Sequence, residues 1–185
     1  ILKGNNMTNS NTRSLTYIAI GAALIAVLSQ ISIPLGPVPF TLQTMAIGLL
    51  ATLYKPKEAT LSVVLYLLLG AIGLPVFAGG SGGFQALFGA TGGFLWAFIL
   101  YGLLTSSLAN MHSSYWTIFW TNCLGVAVVL LGGATYFKVF SQATWADTLA
   151  WTVTPFILTG ILKIVVVILL VKALQPILKK EAYFA

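Results

Sequence analysis

The sequence predicts an all-α integral membrane protein, a compact bundle of six transmembrane helices with both termini in the cytoplasm (N-in/C-in). Hydrophobic residues make up 58% of the chain and charged residues only 6%, whereas a soluble domain carries about 25% charged residues. The length of 185 residues accommodates six spans of about 20 residues with short connections. We therefore expect a single transmembrane domain over residues 7–185. Residues 1–6 precede Met7, and we interpret them as a remnant of cloning.

Residues that end helices separate the first three apolar runs. Three prolines lie within 34–39, and proline both lacks a backbone N–H donor and clashes with the preceding turn. The charged segment 55–58 closes the second run, and Pro75 with the glycine-rich segment 78–83 closes the third. These breaks predict helices over about 14–33, 41–54 and 59–74.

Polar segments separate the last three runs. The segment 110–114 follows the fourth run, and Gln175–Pro176 follows the sixth. The mixed segment 138–151 contains two tryptophans, which are enriched at membrane–water interfaces, so we expect it to lie at the interface. The predicted helices cover about 87–109, 115–137 and 152–174.

The distribution of Lys and Arg orients the bundle, because cytoplasmic connections of membrane proteins carry an excess of these residues. With the N-terminus inside, the outer side holds Lys138 alone. The basic residues lie between apolar runs and form no single patch, so the net charge of +6 indicates topology in a lipid bilayer and no nucleic-acid partner. The cytoplasmic side holds Arg13, Lys55, Lys57, Lys172, Lys179 and Lys180.

Lys163 is the only ionisable side chain well inside a predicted span. A charge there costs several kcal/mol, so a functional site is the default interpretation. The residue lies about 11 positions from the outer end of its run, roughly 16 Å deep at 1.5 Å per residue. Its side chain leans toward the helix N-terminus, which is the outer end. The alternative is a structural lysine bonded to backbone carbonyls.

Other polar residues are weaker candidates. Gln43, beside Thr41, offers an amide to a solute near the outer end of the second run, although interhelical packing explains it equally well. Asn122 has the same two interpretations. The glycines of 79–83 either let backbone approach a ligand or form a tight turn. Because no Asp, Glu or His lies inside an apolar run, we expect no enzyme activity, no catalytic residue and no metal site.

Small residues recur along the first run. Ala19 and Ala23 are four positions apart, as are Ala22 and Ala26. This spacing lets another helix approach closely. Packing within the chain and contact with a partner helix both fit the pattern.

Three segments together resemble one known family. The first is GPVPFTLQT at 36–44, the second is GLPVFAGGSGG at 73–83, and the third is PFI at 155–157, followed by Lys163. They are similar to BioY, the biotin-specific S component of energy-coupling factor (ECF) transporters, over residues 13–179. The resemblance implies six helices, a biotin pocket capped by outer loops, no cofactor, and a location in a prokaryotic cell membrane.

The resemblance also implies partners, because the family has no ATPase of its own. ATP would be hydrolysed by two ATPase subunits, which a transmembrane scaffold subunit links to the S component. A stand-alone secondary carrier or facilitator is the alternative. We expect the scaffold to contact Ala19, Ala22, Ala23 and Ala26, and biotin to contact Lys163, Gln43, Phe40, Thr41, Gly80, Ser81, Gly82, Gly83, Phe84 and Asn122.

Three positions depart from the family pattern: Ala90, Phe94 and Gly160. The family usually has Gly-Pro-Thr-Gly-Gly-Tyr where this chain has GATGGF at 89–94. An aspartate normally lies three residues before the lysine on the same helix face, but this chain has Gly160. Lys163 then lacks a counter-ion in its own helix, and a ligand anion becomes an attractive partner. The sequence leaves open whether the ammonium meets the carboxylate or the ureido oxygen of biotin.

Overall fold

The computed structural model, which describes residues 2–181, 183 and 184, is mostly helical and confirms the predicted all-α class. Among these residues, the only sheet is a pair of two-residue strands, β1 (Ser32–Ile33) and β2 (Phe40–Thr41). The helices are α1 (Leu2–Ser29), α2 (Gln43–Leu53), α3 (Pro56–Ala71), α4 (Gly92–Leu108), α5 (Tyr115–Ser141), α6 (Trp145–Thr152) and α7 (Thr154–Leu178).

The helices differ in length, and length decides which of them can cross a bilayer. Within the described residues, 11–29, 115–141 and 145–178 are long and apolar enough to do so. By contrast, α2 has 11 residues and α4 has 17, whereas a hydrocarbon core of about 30 Å needs about 20. The six-span bundle therefore stays a prediction. Its N-in/C-in orientation also stays a prediction, because helix length does not test it.

Several helix boundaries differ from the prediction. α1 covers Leu2–Ser29 where about 14–33 was predicted, because Ser32–Ile33 form β1, and α5 continues to Ser141. α3 begins at Pro56, because the fixed φ of proline suits the first helical position, and Glu58 therefore lies in its first turn. The fourth run does not form one helix, since Phe84–Leu87 form a separate 3-10 turn and α4 begins only at Gly92. α7 continues through Pro176 into its last turn.

Small residues set the closest helix contacts. At Gly21 of α1, an added Cβ atom would overlap the Ser62 side chain of α3, so glycine allows the two backbones to approach. Gly133 of α5 packs against the Phe94 ring of α4 in the same way. α2 contacts both α4 and α7, and this arrangement brings the first turn of α2 beside Lys163.

Candidate ligand-binding site

A cavity of about 300 Å³ lies where α2 begins. Its wall is formed by the connection between α1 and α2 (residues 30–42), by the α3–α4 loop (residues 72–91), and by α2, α4, α5 and α7. The volume is at the lower end of the range for small-molecule sites, about 300–1,000 Å³, and the mostly apolar wall with a few polar groups is also typical of them. The polar lining residues are Thr41, Gln43, Thr44, Ser81, Thr91 and Lys163.

Lys163 lies at the wall of this cavity with its side chain 9% exposed. Its Nζ donates to the Thr41 carbonyl at 2.5 Å and to Thr44 Oγ1 at 3.2 Å, and lies 4.1 Å from the centroid of the Phe40 ring. An ammonium carries three N–H donors, so these two bonds leave one for a ligand. Among the described residues, no Asp or Glu lines the cavity. The lysine therefore bonds a backbone carbonyl and borders the cavity at once.

A short hairpin brings two of the predicted residues to the lysine. β1 and β2 pair antiparallel, with Ile33 opposite Phe40, and the pairing closes the proline-rich turn at 34–39. The chain then enters α2 directly after the hairpin. Phe40 and Thr41 therefore lie beside Lys163 because the hairpin fixes their register. Thr41 lines the cavity, whereas Phe40 contacts the lysine without lining the cavity.

Gln43, the first residue of α2, is buried and lines the cavity. Its Oε1 accepts a hydrogen bond from Thr41 Oγ1 at 2.8 Å, and its Nε2 donates to Tyr66 Oη of α3 at 2.5 Å. These two partners fix the orientation of the amide. One amide hydrogen and one carbonyl lone pair are left for a ligand.

The α3–α4 loop contributes Phe77, Ala78 and Ser81 to the cavity wall. The Phe77 ring is buried, packs against Gly70 of α3, and lies edge-on to Tyr66 with ring centroids 5.4 Å apart. Phe77 thus attaches the loop to α3. Phe77 belongs to the segment GLPVFAGGSGG, but it was not among the residues predicted to contact biotin.

Four other loop residues that were predicted to bind the ligand do not line the cavity. Gly80 has a φ of +73°, a conformation that favours glycine, so it serves the turn. Gly82 packs against the backbone of its own loop, and the Gly83 N–H donates to a carbonyl of α3 at 2.7 Å. Phe84 is exposed, and its ring contacts the next aromatic residue along the chain.

Asn122 also lies outside the cavity wall. Its side chain is fully buried between helices, where Oδ1 accepts from Tyr101 Oη at 2.8 Å. Its Nδ2 donates to Thr52 Oγ1 at 3.2 Å and to the Ile118 carbonyl at 2.9 Å. Of the two interpretations given from the sequence, these contacts support interhelical packing.

Sequence reasoning missed most of the apolar wall. Phe94 and Phe98, one turn apart on α4, and Phe156 of α7 all line the cavity. In a helix that is apolar on every side, the pattern does not separate a cavity-lining phenylalanine from one that faces lipid. Gly160 lines the cavity too, and an added Cβ there would meet Val126 Cγ1 at 3.5 Å, an ordinary van der Waals distance.

The alanines of α1 do not share one face. Ala22 is 1% exposed and belongs to the core, so it is not available to a partner and the prediction for this residue is wrong. Ala26 is half-buried against the core, whereas Ala19 and Ala23 are exposed. The exposed part of the small-residue pattern is therefore Ala19 and Ala23.

The chain is similar in sequence and in structure to proteins of one family. The model of the BioY family matches residues 5–180. A relative from Lactococcus lactis, named biotin transporter BioY2, is 48% identical over 164 residues, which cover 87% of this chain and 89% of the relative. A relative from Thermotoga maritima, named biotin transporter BioY, is 37% identical over 165 residues, covering 89% and 97%. A crystal structure of the S-component for biotin from an ECF-type ABC transporter has a TM-score of 0.82 and 30% identity, with 95% of each chain covered.

Proposed function

The chain belongs to the BioY family, and we propose that it is the biotin-binding S component of an ECF transporter in a prokaryotic cytoplasmic membrane. The names of its relatives and the S-component fold support this proposal. In it, the chain captures biotin at the outer face without a cofactor. A scaffold subunit and two ATPase subunits then supply the energy for uptake. The chain itself is a transport subunit and not an enzyme.

The observation that carries the proposal is the buried Lys163 ammonium beside a mostly apolar cavity. Biotin combines a bicyclic ureido ring, an apolar chain and a carboxylate. The aromatic wall of the cavity suits the ring and chain, and the Gln43 amide suits the ureido group because it both donates and accepts. Because no acid lines the described cavity, we infer that Lys163 meets the ligand carboxylate.

We further infer that six helices cross the bilayer with both termini inside. The excess of Lys and Arg in alternate connections supports this orientation. In this orientation, the cavity opens to the outside, and the connections that lead into the short helices α2 and α4 lie on the outer side. Single cysteines at Ser81 and at Ser113 should react with an impermeant reagent from opposite sides of the membrane. Reaction of both from one side would contradict this topology.

The scaffold subunit is proposed to pack on the exposed face of α1 that carries Ala19 and Ala23. Small side chains let a second helix approach closely, and a bilayer offers no hydrophobic driving force that would otherwise select a surface. The buried Ala22 belongs to contacts within the chain and is left out of this surface.

Equilibrium binding to the purified chain tests the proposed function. Labelled biotin should bind, and unlabelled biotin should displace it, whereas thiamine and riboflavin should not. Biotinamide, which keeps the ureido ring and loses the charge, should compete less well than biotin if Lys163 meets the carboxylate. No saturable biotin binding would overturn the proposal. Biotin uptake by the chain alone in lipid vesicles would instead favour a stand-alone carrier.

A further inference from the structure

The last turn of α1 and the residue after it hold the α3–α4 loop through two polar side chains. Ser29 is 0% exposed, and its Oγ lies 2.5 Å from the Val76 carbonyl oxygen. The exposed Gln30 places its Nε2 3.3 Å from the Pro75 carbonyl oxygen and 3.4 Å from that of Phe77. Three consecutive loop carbonyls therefore face donors from one end of α1.

The same donors also have acceptors on α1 itself. Ser29 Oγ lies 2.6 Å from the Ala26 carbonyl oxygen, and Gln30 Nε2 lies 3.1 Å from that oxygen and 2.9 Å from Ser29 Oγ. A hydroxyl has one hydrogen and an amide has two, so three hydrogens serve these six contacts, and the Ser29 hydroxyl also bonds with Tyr66 of α3. If the loop moves away, these hydrogens stay bonded to α1. The large penalty for an unpaired buried donor is then avoided.

The part of the loop that is held in this way also covers the cavity. Phe77, Ala78 and Ser81 line it, and backbone bonds from Phe77 to Ser81 and from Gly80 to Phe77 join segment 77–81 into one unit. The connection that follows Gln30 also contributes Pro37, Val38 and Pro39 to the wall. The end of α1 thus joins the two segments that enclose the cavity.

We propose that Ser29 and Gln30 form an exchangeable latch that holds the α3–α4 loop closed over the cavity and sets the rate at which ligand leaves. The latch rests on the proposed function only for the identity of the ligand, biotin. Both are positioning residues, since neither lines the cavity. The latch is released when the donors turn from the loop carbonyls to the acceptors on α1.

Gln30→Glu is the sharpest test, because it keeps the size of an exposed side chain and replaces the amide donors with acceptor oxygens. The matched control is Gln142→Glu, since among the described residues that exposed amide bonds only to Val139 of α5. In the ligand-free protein, hydrogen exchange should accelerate in peptides covering 72–83 for Gln30→Glu and not for the control. Labelled biotin should dissociate about 2- to 10-fold faster from Gln30→Glu, the effect of one or two neutral hydrogen bonds.

Ser29→Ala provides a second variant with its own control. Ser107→Ala also removes a hydroxyl from a helix, but within the part of the chain that the structure describes that hydroxyl bonds only to Leu103 in its own helix. Ser29→Ala should shift exchange and dissociation in the same direction as Gln30→Glu. Exchange in 72–83 equal to that of the controls would overturn the latch, as would a lower melting temperature with unchanged exchange and dissociation. Hydrogen exchange needs no ligand, so absence of biotin binding to the wild type would contradict the proposed function and leave the test of the latch intact.

Discussion

Lys163 and Glu58 are both buried charges, 9% and 6% exposed, and they lie near opposite ends of α2 in different surroundings. Glu58 accepts hydrogen bonds from Ser14 Oγ at 2.6 Å and from Tyr183 Oη at 3.0 Å. It also lies in the first turn of α3, where the helix dipole favours a negative charge. Lys163 borders the cavity and keeps an unused donor. Burial alone therefore does not mark a site, whereas a buried charge with unused bonding capacity beside a cavity does.

The surroundings of Glu58 are those of a structural contact. Tyr183 stacks on Tyr17 of α1 with ring centroids 4.3 Å apart, and the Lys55 N–H donates to its hydroxyl at 3.0 Å. Burial raises the pKa of the Tyr183 phenol, so the hydroxyl stays protonated and donates a hydrogen bond to the Glu58 carboxylate. Phe184 packs on the same rings. The C-terminal segment thus joins α1 to the start of α3.

Lys163→Met gives the largest effect that this comparison predicts. The change keeps much of the apolar stem and removes the ammonium, so biotin binding should weaken by about 1.5–3 kcal/mol, or roughly 10- to 150-fold in Kd. The melting temperature should not fall, because a costly buried charge is gone. Isothermal titration calorimetry in detergent measures the Kd for biotin, and thermal denaturation in the same detergent measures the melting temperature.

Lys172→Met is the matched control for that measurement. Lys172 donates to the Ser113 carbonyl at 2.6 Å and does not line the cavity, so its loss should leave biotin affinity unchanged. Unchanged affinity in a well-folded Lys163→Met variant would remove Lys163 from the site. A lower melting temperature with unchanged affinity would place Lys163 in the same structural class as Glu58.

Ala22→Leu and Ala23→Leu extend the contrast between structure and function to a pair of neighbouring residues. Ala22 is packed in the core, so leucine there should destabilise the fold by about 1–3 kcal/mol through overpacking. Ala23 is exposed, so leucine there should leave the melting temperature and biotin affinity unchanged while lowering the yield of complex captured with the scaffold subunit. Capture at the wild-type yield would show that Ala23 is not in the contact surface.

Gly160→Asp would give Lys163 a carboxylate one turn away and make its surroundings more like those of Glu58. An added Cβ atom at Gly160 meets only an ordinary van der Waals contact, and the residue lines the cavity. Because the site would then carry no net charge, the preference for biotin over biotinamide should fall about tenfold, which corresponds to roughly 1.4 kcal/mol. Competition binding with both compounds measures this ratio. An unchanged ratio would indicate that Lys163 meets the ureido oxygen.

The cavity residues that could be predicted from the sequence were polar or charged residues that stand out against an apolar run. Lys163 is conspicuous because a charge inside an apolar run is costly, and Gln43 is conspicuous because it is polar at the end of a run. The same reasoning selected Asn122, because a buried amide bonded to another helix looks identical in the sequence. Polarity in a span predicts that a partner exists, but it does not say whether the partner is a ligand or a neighbouring helix.

The contacts that sequence reasoning missed depend on tertiary packing. Glu58 is the last residue of the charged segment 55–58, which predicted a connection, yet the fold buries it under a tyrosine 125 positions away. Ser29 holds a loop carbonyl 47 positions away. Neither distance leaves a periodic pattern in the sequence, so helix positions were predictable and these contacts were not.

Tyr183→Phe gives the smallest effect and tests whether the two ends of the bundle act independently. It removes the hydrogen bond that the hydroxyl donates to Glu58 and the one that it accepts from the exposed Lys55 N–H, and it keeps the stacked ring. We therefore expect a loss of about 1 kcal/mol in stability and a fall of about 2–4 °C in Tm. Tyr115→Phe is the control, because among the described residues its hydroxyl has no hydrogen-bond partner while its ring is contacted by Lys172. Biotin affinity should stay at the wild-type value in both variants, since neither tyrosine lines the cavity. Weaker biotin binding in Tyr183→Phe alone would mean that the contact around Glu58 affects the cavity through α2 or α3. Glu58 could then no longer be classed as purely structural, in contrast to the ligand-binding Lys163.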